Sequence, residues 1–242
     1  MAKQLQPRNR KTKGVFDAEI DPRGVTLTQK PRRAFSLSPR TDAQGKYMED
    51  IDAGDLVYGL GPAGTGKTFV AVAMAAQALM NKDIKKIILT RPVIEVGQGM
   101  GFLPGELEEK YEPYLKPVRQ TLIEVMGRGP YEYALKAGQI EPAPLGFMRG
   151  DTFNDCWVIL DEAQNVTPTE MKMFLTRAGE NCKMLICGDS DQVDIAGPSG
   201  LDDAVKRTAW IPCVRITEFT IDDVVRSGLC QAVLQSYSKN RS

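Results

Sequence analysis

Eight residues, Gly61-Pro62-Ala63-Gly64-Thr65-Gly66-Lys67-Thr68, fit the spacing G-x-x-x-x-G-K-[ST]. Glycines let such a loop curl until successive backbone N–H groups point inward, and the following helix adds its positive N-terminal end. The result is a cradle for a polyphosphate, in which Lys67 reaches the outer phosphates and the Thr68 hydroxyl ligates Mg²⁺. A second stretch, "CWVILDEAQN", carries Asp161 and Glu162 at the end of an apolar run. In phosphoryl transfer an aspartate so placed holds the magnesium ion, usually through water. A neighbouring glutamate can orient and deprotonate the attacking water, which favours hydrolysis over transfer to a small acceptor. A third, "KMLICGDSDQVD", runs into Gly188-Asp189-Ser190-Asp191-Gln192. From there Gln192 can meet a γ-phosphate or its attacking water. An apolar run ending in two acids, or a G-D-x-x-Q turn, is weak alone; in this order after the glycine loop they reinforce one another.

These residues need rigid elements to hold them. Short apolar runs predict strands at 55–60, 86–90, 156–161, 183–187 and near 212–217, and helical periodicity predicts helices at 67–80, 168–178 and 222–236. Continuous apolar runs separated by helices are the pattern of strands buried on both faces, that is, of a mostly parallel sheet flanked by helices. Residues 91–155 read as a helical insertion punctuated by Pro104, Pro113, Pro117, Pro130, Pro142 and Pro144, decorating the core fold.

Composition narrows the chemistry. At 42% hydrophobic and 26% charged residues, the chain is of ordinary globular make-up. It contains no histidine, which excludes a Ser-His-Asp triad, a histidine base and histidine-ligated metals. Five scattered cysteines without C-x-x-C spacing argue against a zinc site and a disulfide framework, and several should be buried thiols. No apolar stretch approaches the ~20 residues of a membrane span, and the basic N-terminus is followed by no apolar signal region. The expected location is therefore cytoplasmic. Net charge is zero but uneven: residues 1–40 hold ten Lys/Arg against three Asp/Glu. We divide the chain into a basic arm over 1–35 and a single domain over 36–242. The arm suits either contact with nucleic-acid phosphates or a solvated, subunit-contacting extension.

Taken together, "GPAGTGKT", "TRPVIEVGQGMGFLPGELEEKYEPYLKPV", "MRGDTFNDCWVILDEAQNVTPTEMKMFLTRAG" and "GDSDQVD...SGL" resemble the PhoH-like family over roughly residues 36–236. The resemblance implies a RecA-like P-loop NTPase fold related to superfamily 1 helicases, ATP binding and hydrolysis, and a link to RNA metabolism in some members. It also sets Gln44 where related proteins place an adenine-reading glutamine, with Tyr47 as a stacking partner; the alternative is a surface glutamine on the first helix. Family members that carry a nuclease domain hold a four-acid metal site, which this chain has no segment to supply. Its length and basic arm resemble stand-alone forms, including those carried by bacteriophages.

Charge developing on a transferred phosphoryl group usually needs an arginine, supplied in cis or by a neighbour. Related helicases take theirs from a second RecA-like domain, for which this chain has no room. The expectation is a homo-oligomer, a ring or possible hexamer, with the arginine arriving in trans. Arg226, Arg177 and Arg91 are the candidates, and Arg91 could instead contact nucleic acid. Three functions fit: an ATP-driven, helicase-like remodeller of RNA or single-stranded DNA, an ATP-dependent switch or scaffold, and a small-molecule kinase, against which Glu162 counts.

Overall fold

The computed structural model describes residues 35–92 and 107–226, with residues 228, 229, 233 and 236 beyond them; for 107–114 it gives the backbone course alone. The basic arm expected over 1–35 therefore lies almost wholly outside the described residues. In chain order the elements are α1 (Asp42–Ala53), β1 (Leu56–Leu60), α2 (Lys67–Asn81), β2 (Lys86–Thr90), α3 (Leu107–Met126) and α4 (Arg128–Lys136). They continue with β3 (Ile140–Pro142), β4 (Cys156–Leu160), α5 (Pro168–Leu175), β5 (Cys182–Gly188), α6 (Gly200–Thr208) and β6 (Val214–Glu218).

Among the described residues six strands form one sheet in the order β3-β2-β4-β5-β1-β6, and every neighbouring pair is parallel. Side chains along a strand alternate between faces, so each apolar run feeds two cores. Val57, Ile87, Leu89, Ile159, Leu185 and Cys187 enter the core shared with α1, α2, α3 and α4. Tyr58, Ile88, Val158, Leu160, Met184 and Ile186 enter the core shared with α5 and α6. The strands are thus covered on both sides, which is why they read as continuous apolar runs rather than as alternation.

Local signals set the helix starts. Thr41 caps α1 by accepting from the Gln44 amide at 3.2 Å, and Thr167 and Glu170 form a reciprocal capping box ahead of Pro168 at the first position of α5. In α6, Ser199 caps a helix whose acids stand in the first turn and whose bases stand in the last, as the helix dipole favours.

The insertion is more than decoration. Leu115, Val118, Leu122 and Val125 of α3, with Tyr131 and Ala134 of α4, are buried in the core with α2, and β3 extends the sheet beside β2. Pro113 and Pro117 lie inside α3 without ending it; a proline inside a helix costs about 3 kcal/mol, and burial of that apolar stripe offsets it. Pro130 falls in the first turn of α4, where its missing N–H has no intrahelical partner to lose. Pro142 ends a strand at the sheet edge, where a ladder bond is not required.

Of the helix expected over 222–236, the described residues show a short 3₁₀ turn at Ile221–Asp223, no regular structure at Val224 and Val225, and helical backbone at Gly228, Leu229, Val233 and Ser236. Cys156, Cys182 and Cys187 are buried thiols as expected, Cys213 is exposed, and Cys230 lies outside the described residues. Among the described residues no helix is long and apolar enough to cross a membrane.

Candidate functional site

In a parallel sheet all strands deliver their C-terminal ends to one edge, and the three motifs meet there. Residues 61–66 link β1 to α2. Gly61, Gly64 and Gly66 hold φ of 130°, 87° and 89°, a region that side chains with a Cβ rarely adopt. Space makes the same demand: a Cβ on Gly61 would lie 2.2 Å from the Phe219 carbonyl oxygen, and one on Gly66 2.7 Å from the Gln44 amide nitrogen. The loop is closed from within. Lys67, only 8% exposed, donates from Nζ to the carbonyls of Gly61 at 2.5 Å and Pro62 at 2.8 Å. Thr65 donates to the Pro62 carbonyl at 3.0 Å, and Ala63 stands at the tip.

Thr68, in the first turn of α2, donates from Oγ1 to Asp161 Oδ1 at 2.6 Å. The two residues are 93 apart in sequence; Asp161 follows β4 and Thr68 opens the helix after β1, strands that flank β5, so sheet order brings them together. Burial pushes the Asp161 carboxyl above its ordinary value, and the Thr68 hydroxyl and the Arg91 guanidinium pull it back. Burial lowers the Lys67 ammonium, against the opposing pull of Cys187, Asp189, Asp161 and Glu162. The thiol of Cys187, on β5 beneath the loop, is pushed up to about 12 by burial and is inert packing at neutral pH.

Glu162 follows Asp161 in left-handed backbone, φ 54°. Its carboxylate is gripped from two sides. Arg91, just past the end of β2, donates from Nη2 to Oε1 at 3.1 Å, and its Nη1 stands 3.8 Å from Asp161 Oδ2. Gln164 donates from Nε2 to Oε2 at 2.7 Å. Gln192 lies at the same sheet edge and donates to Asp189 Oδ2 at 2.5 Å.

Tyr47, Gln44 and Arg226 are engaged within their own chain, and Arg177 stands apart from the loop. Tyr47 is fully buried, its ring edge-on to Phe219 and its hydroxyl 3.5 Å from Cys187 Sγ, so no face is open for stacking on a base. Gln44 is not a surface residue: at 4% exposure it donates to the Thr65 carbonyl at 2.8 Å and accepts from the Arg40 amide at 2.9 Å, bracing the loop from α1. Arg226 already sits on its own chain's loop. The Val225 amide donates to the Gly64 carbonyl at 3.0 Å, and a Cβ on Gly64 would meet Arg226 Nε at 2.7 Å. Arg177 is remote from this edge. It follows α5 at the opposite end of the sheet, where its carbonyl accepts from Phe153 just before β4.

The residues that sequence reasoning left out are Gln164, Asn165 and Asp189. All three are buried polar groups: Gln164 reaches Glu162 and Asp189, and Asn165 accepts from the Asp194 amide at 2.8 Å. Two carboxamides one residue beyond two carboxylates, at the end of a buried strand, were the available signal for Gln164 and Asn165.

A glycine loop between β1 and α2, facing an aspartate at the end of a strand two places away in an all-parallel sheet, defines the P-loop fold of RecA-like type. The family profile described as PhoH-like protein matches residues 36–238, and the chain belongs to that family. It is 47% identical over 212 residues to the PhoH-like protein of Bacillus subtilis, covering 87% of this chain and 66% of the relative. To Protein PhoH of Escherichia coli K12 it is 43% identical over 218 residues, covering 88% and 62%, and to the PhoH-like protein of Mycobacterium bovis 45% over 217, covering 89% and 62%. The chain thus spans about three fifths of the length of the curated relatives it matches. Among solved structures, the large terminase of a thermophilic bacteriophage superposes with a TM-score of 0.52 at 14% identity, over 82% of this chain and half of that one. The same terminase in complex with ADP superposes with 0.51 over 81% and half, also at 14% identity. At that identity the likeness speaks of fold.

Proposed function

We propose that the chain binds ATP with Mg²⁺ in the 61–68 loop and hydrolyses it, and that it uses the cycle as a helicase-like remodeller of RNA or single-stranded nucleic acid. The observation that carries the first part is the 2.6 Å bond from Thr68 to Asp161 beside the buried ammonium of Lys67. A hydroxyl and a carboxylate are hard oxygen donors that suit Mg²⁺, an ion that needs only one or two protein ligands when phosphates supply the rest. A buried ammonium whose partners are carbonyls gains a stronger partner when a phosphate enters the cradle. In this reading Lys67 and the loop amides hold the β- and γ-phosphates. Thr68 and Asp161 hold the cation, which neutralises charge on the phosphates. Glu162 takes a proton from the attacking water, and Gln192 orients that water.

Arg226 is the arginine at the loop, and we assign it to the phosphates in cis. Arg177 could reach a cradle only in another copy, as in the homo-oligomeric ring with an arginine supplied in trans. Gln44, braced on Thr65, is left to read adenine with whichever amide lone pair and proton its two bonds leave over. The basic arm would add phosphate contacts on the nucleic acid.

The hold of Arg91 on Glu162 favours a second reading, an ATP-dependent switch or scaffold with slow turnover until a partner draws the guanidinium away. One experiment separates the two: the hydrolysis rate of the full chain with and without single-stranded RNA, beside Lys67→Ala. The remodeller requires stimulation that weakens with salt; a low rate indifferent to RNA favours the switch; a rate undiminished in Lys67→Ala refutes both.

A further inference from the structure

Within the second motif, and bonded to the third, lies a side chain whose two ends are both committed. Gln164 is 1% exposed. Its Nε2 donates to Glu162 Oε2 at 2.7 Å, and its Oε1 accepts from the Asp189 backbone amide at 3.0 Å. The place is reserved for it: a Cβ on Gly188 would stand 3.1 Å from that Oε1 and 2.6 Å from Leu201 Cδ2. Burying a carboxamide costs free energy unless each end is paired, whereas an aliphatic side chain of like shape would fill the same space without that demand.

What the carboxamide can do that a leucine cannot is aim a carboxylate. Glu162 stands in left-handed backbone, so neither strand nor helix geometry sets the direction of its side chain. Arg91 fixes one oxygen and Gln164 the other. Asp189, at the far end of Gln164, holds Gln192 through one carboxylate oxygen and the Asp191 amide through the other, at 3.1 Å. A continuous chain of hydrogen bonds therefore runs from Glu162 through Gln164 to the turn at 188–192.

We propose that Gln164 is a positioning residue that sets the Glu162 carboxylate and ties its placement to the Gly188–Gln192 turn, so that removal of the water proton responds to what that turn contacts. The inference rests on the reading of Glu162 as general base. Charged groups facing Glu162 are Arg91 just past β2, Asp161 just past β4 and Lys67 at the start of α2.

The test uses the full chain with two substitutions, reading kcat for ATP hydrolysis, Mg–ADP affinity and thermal unfolding. Gln164→Leu should lower kcat about tenfold or more while Mg–ADP affinity stays within about twofold, the signature of a contact that matters to the transition state alone. Gln164→Glu keeps an acceptor for the Asp189 amide but faces Glu162 with a second carboxylate. Because two carboxylates side by side repel, Glu162 should turn from its place, and kcat should fall about tenfold or more with Mg–ADP affinity again within about twofold of the parent. If Gln164→Leu fails to fold, Gln164→Glu decides alone. Parental kcat in either folded variant, or loss of kcat matched by loss of affinity and stability, would each overturn the inference while leaving the ATPase reading intact. A parent that hydrolyses no faster than Lys67→Ala refutes that reading, and this inference with it.

Discussion

Thr68→Ala isolates the contact on which the cation site depends. In the parent a hydroxyl donates at 2.6 Å to a carboxylate whose side chain is 13% exposed. A hydrogen bond to a charged, buried acceptor contributes about 1.5–3 kcal/mol, and its loss leaves Asp161 with Arg91 at 3.8 Å as its ion-pair partner. We expect Thr68→Ala to cost about 2 kcal/mol without nucleotide, a fall in Tm of about 4–8 °C for a domain of this size. Thr68→Ser keeps the donor and should stay within about 0.5 kcal/mol of the parent. The cost depends on pH with a definite sign. Burial raises the Asp161 carboxyl and the Thr68 bond opposes the rise. A carboxyl raised on folding contributes stability that is full below its unfolded value and is lost as pH rises through the folded value. Removing the opposing bond enlarges the rise, so the gap between parent and Thr68→Ala should be widest at neutral pH and narrow as Asp161 protonates in acid. Urea unfolding at several pH values, with and without Mg–ADP, measures all of this. Equal stability of Thr68→Ala and the parent at neutral pH, a Thr68→Ser defect as large as that of Thr68→Ala, or a gap that widens in acid would refute the reasoning.

Other perturbations have equally definite outcomes. Gly61→Ala combines a φ of 130° with a Cβ set 2.2 Å from the Phe219 carbonyl; backbone strain and displacement of β6 should cost about 3 kcal/mol or more, read by urea unfolding. Gly129→Ala, in α4 with nothing within 4 Å of the new Cβ, should instead stabilise by about 0.5–1 kcal/mol. Arg91→Gln removes a group that pulls the Asp161 carboxyl down, so in hydrolysis titrated with Mg²⁺ the cation requirement should rise more steeply than the parent's as pH falls.

The strands that carry the site were legible because each is buried on both faces and so appears as an unbroken apolar run: β1, β2, β4 and β5 fall within a residue of expectation. Where burial is partial or brief the sequence is mute. The three residues of β3 include a proline, and α6, with four of nine residues charged, does not stand out from its flanking turns. Helix α5 stops at Leu175 rather than 178 because Phe153 and Ala178 bridge before β4 and β5. In the site, the glycine loop is a local motif and could be read directly. The hold of Arg91 on Glu162 arises because β2 borders β4, and that of Gln164 on Asp189 because β4 borders β5; such contacts depend on strand order, which spacing along the chain does not encode. Gln44 and Tyr47 stand three apart on one face of α1, and both turn inward, which removes the stacking surface that the family resemblance implied.

Calorimetric titration of Mg–ATP into the full chain, beside Lys67→Ala, tests the phosphate cradle most directly. The parent should bind one nucleotide per chain with saturable heat, and the variant should lose most of that affinity. Absence of heat with the parent, or identical isotherms for the two proteins, would contradict it.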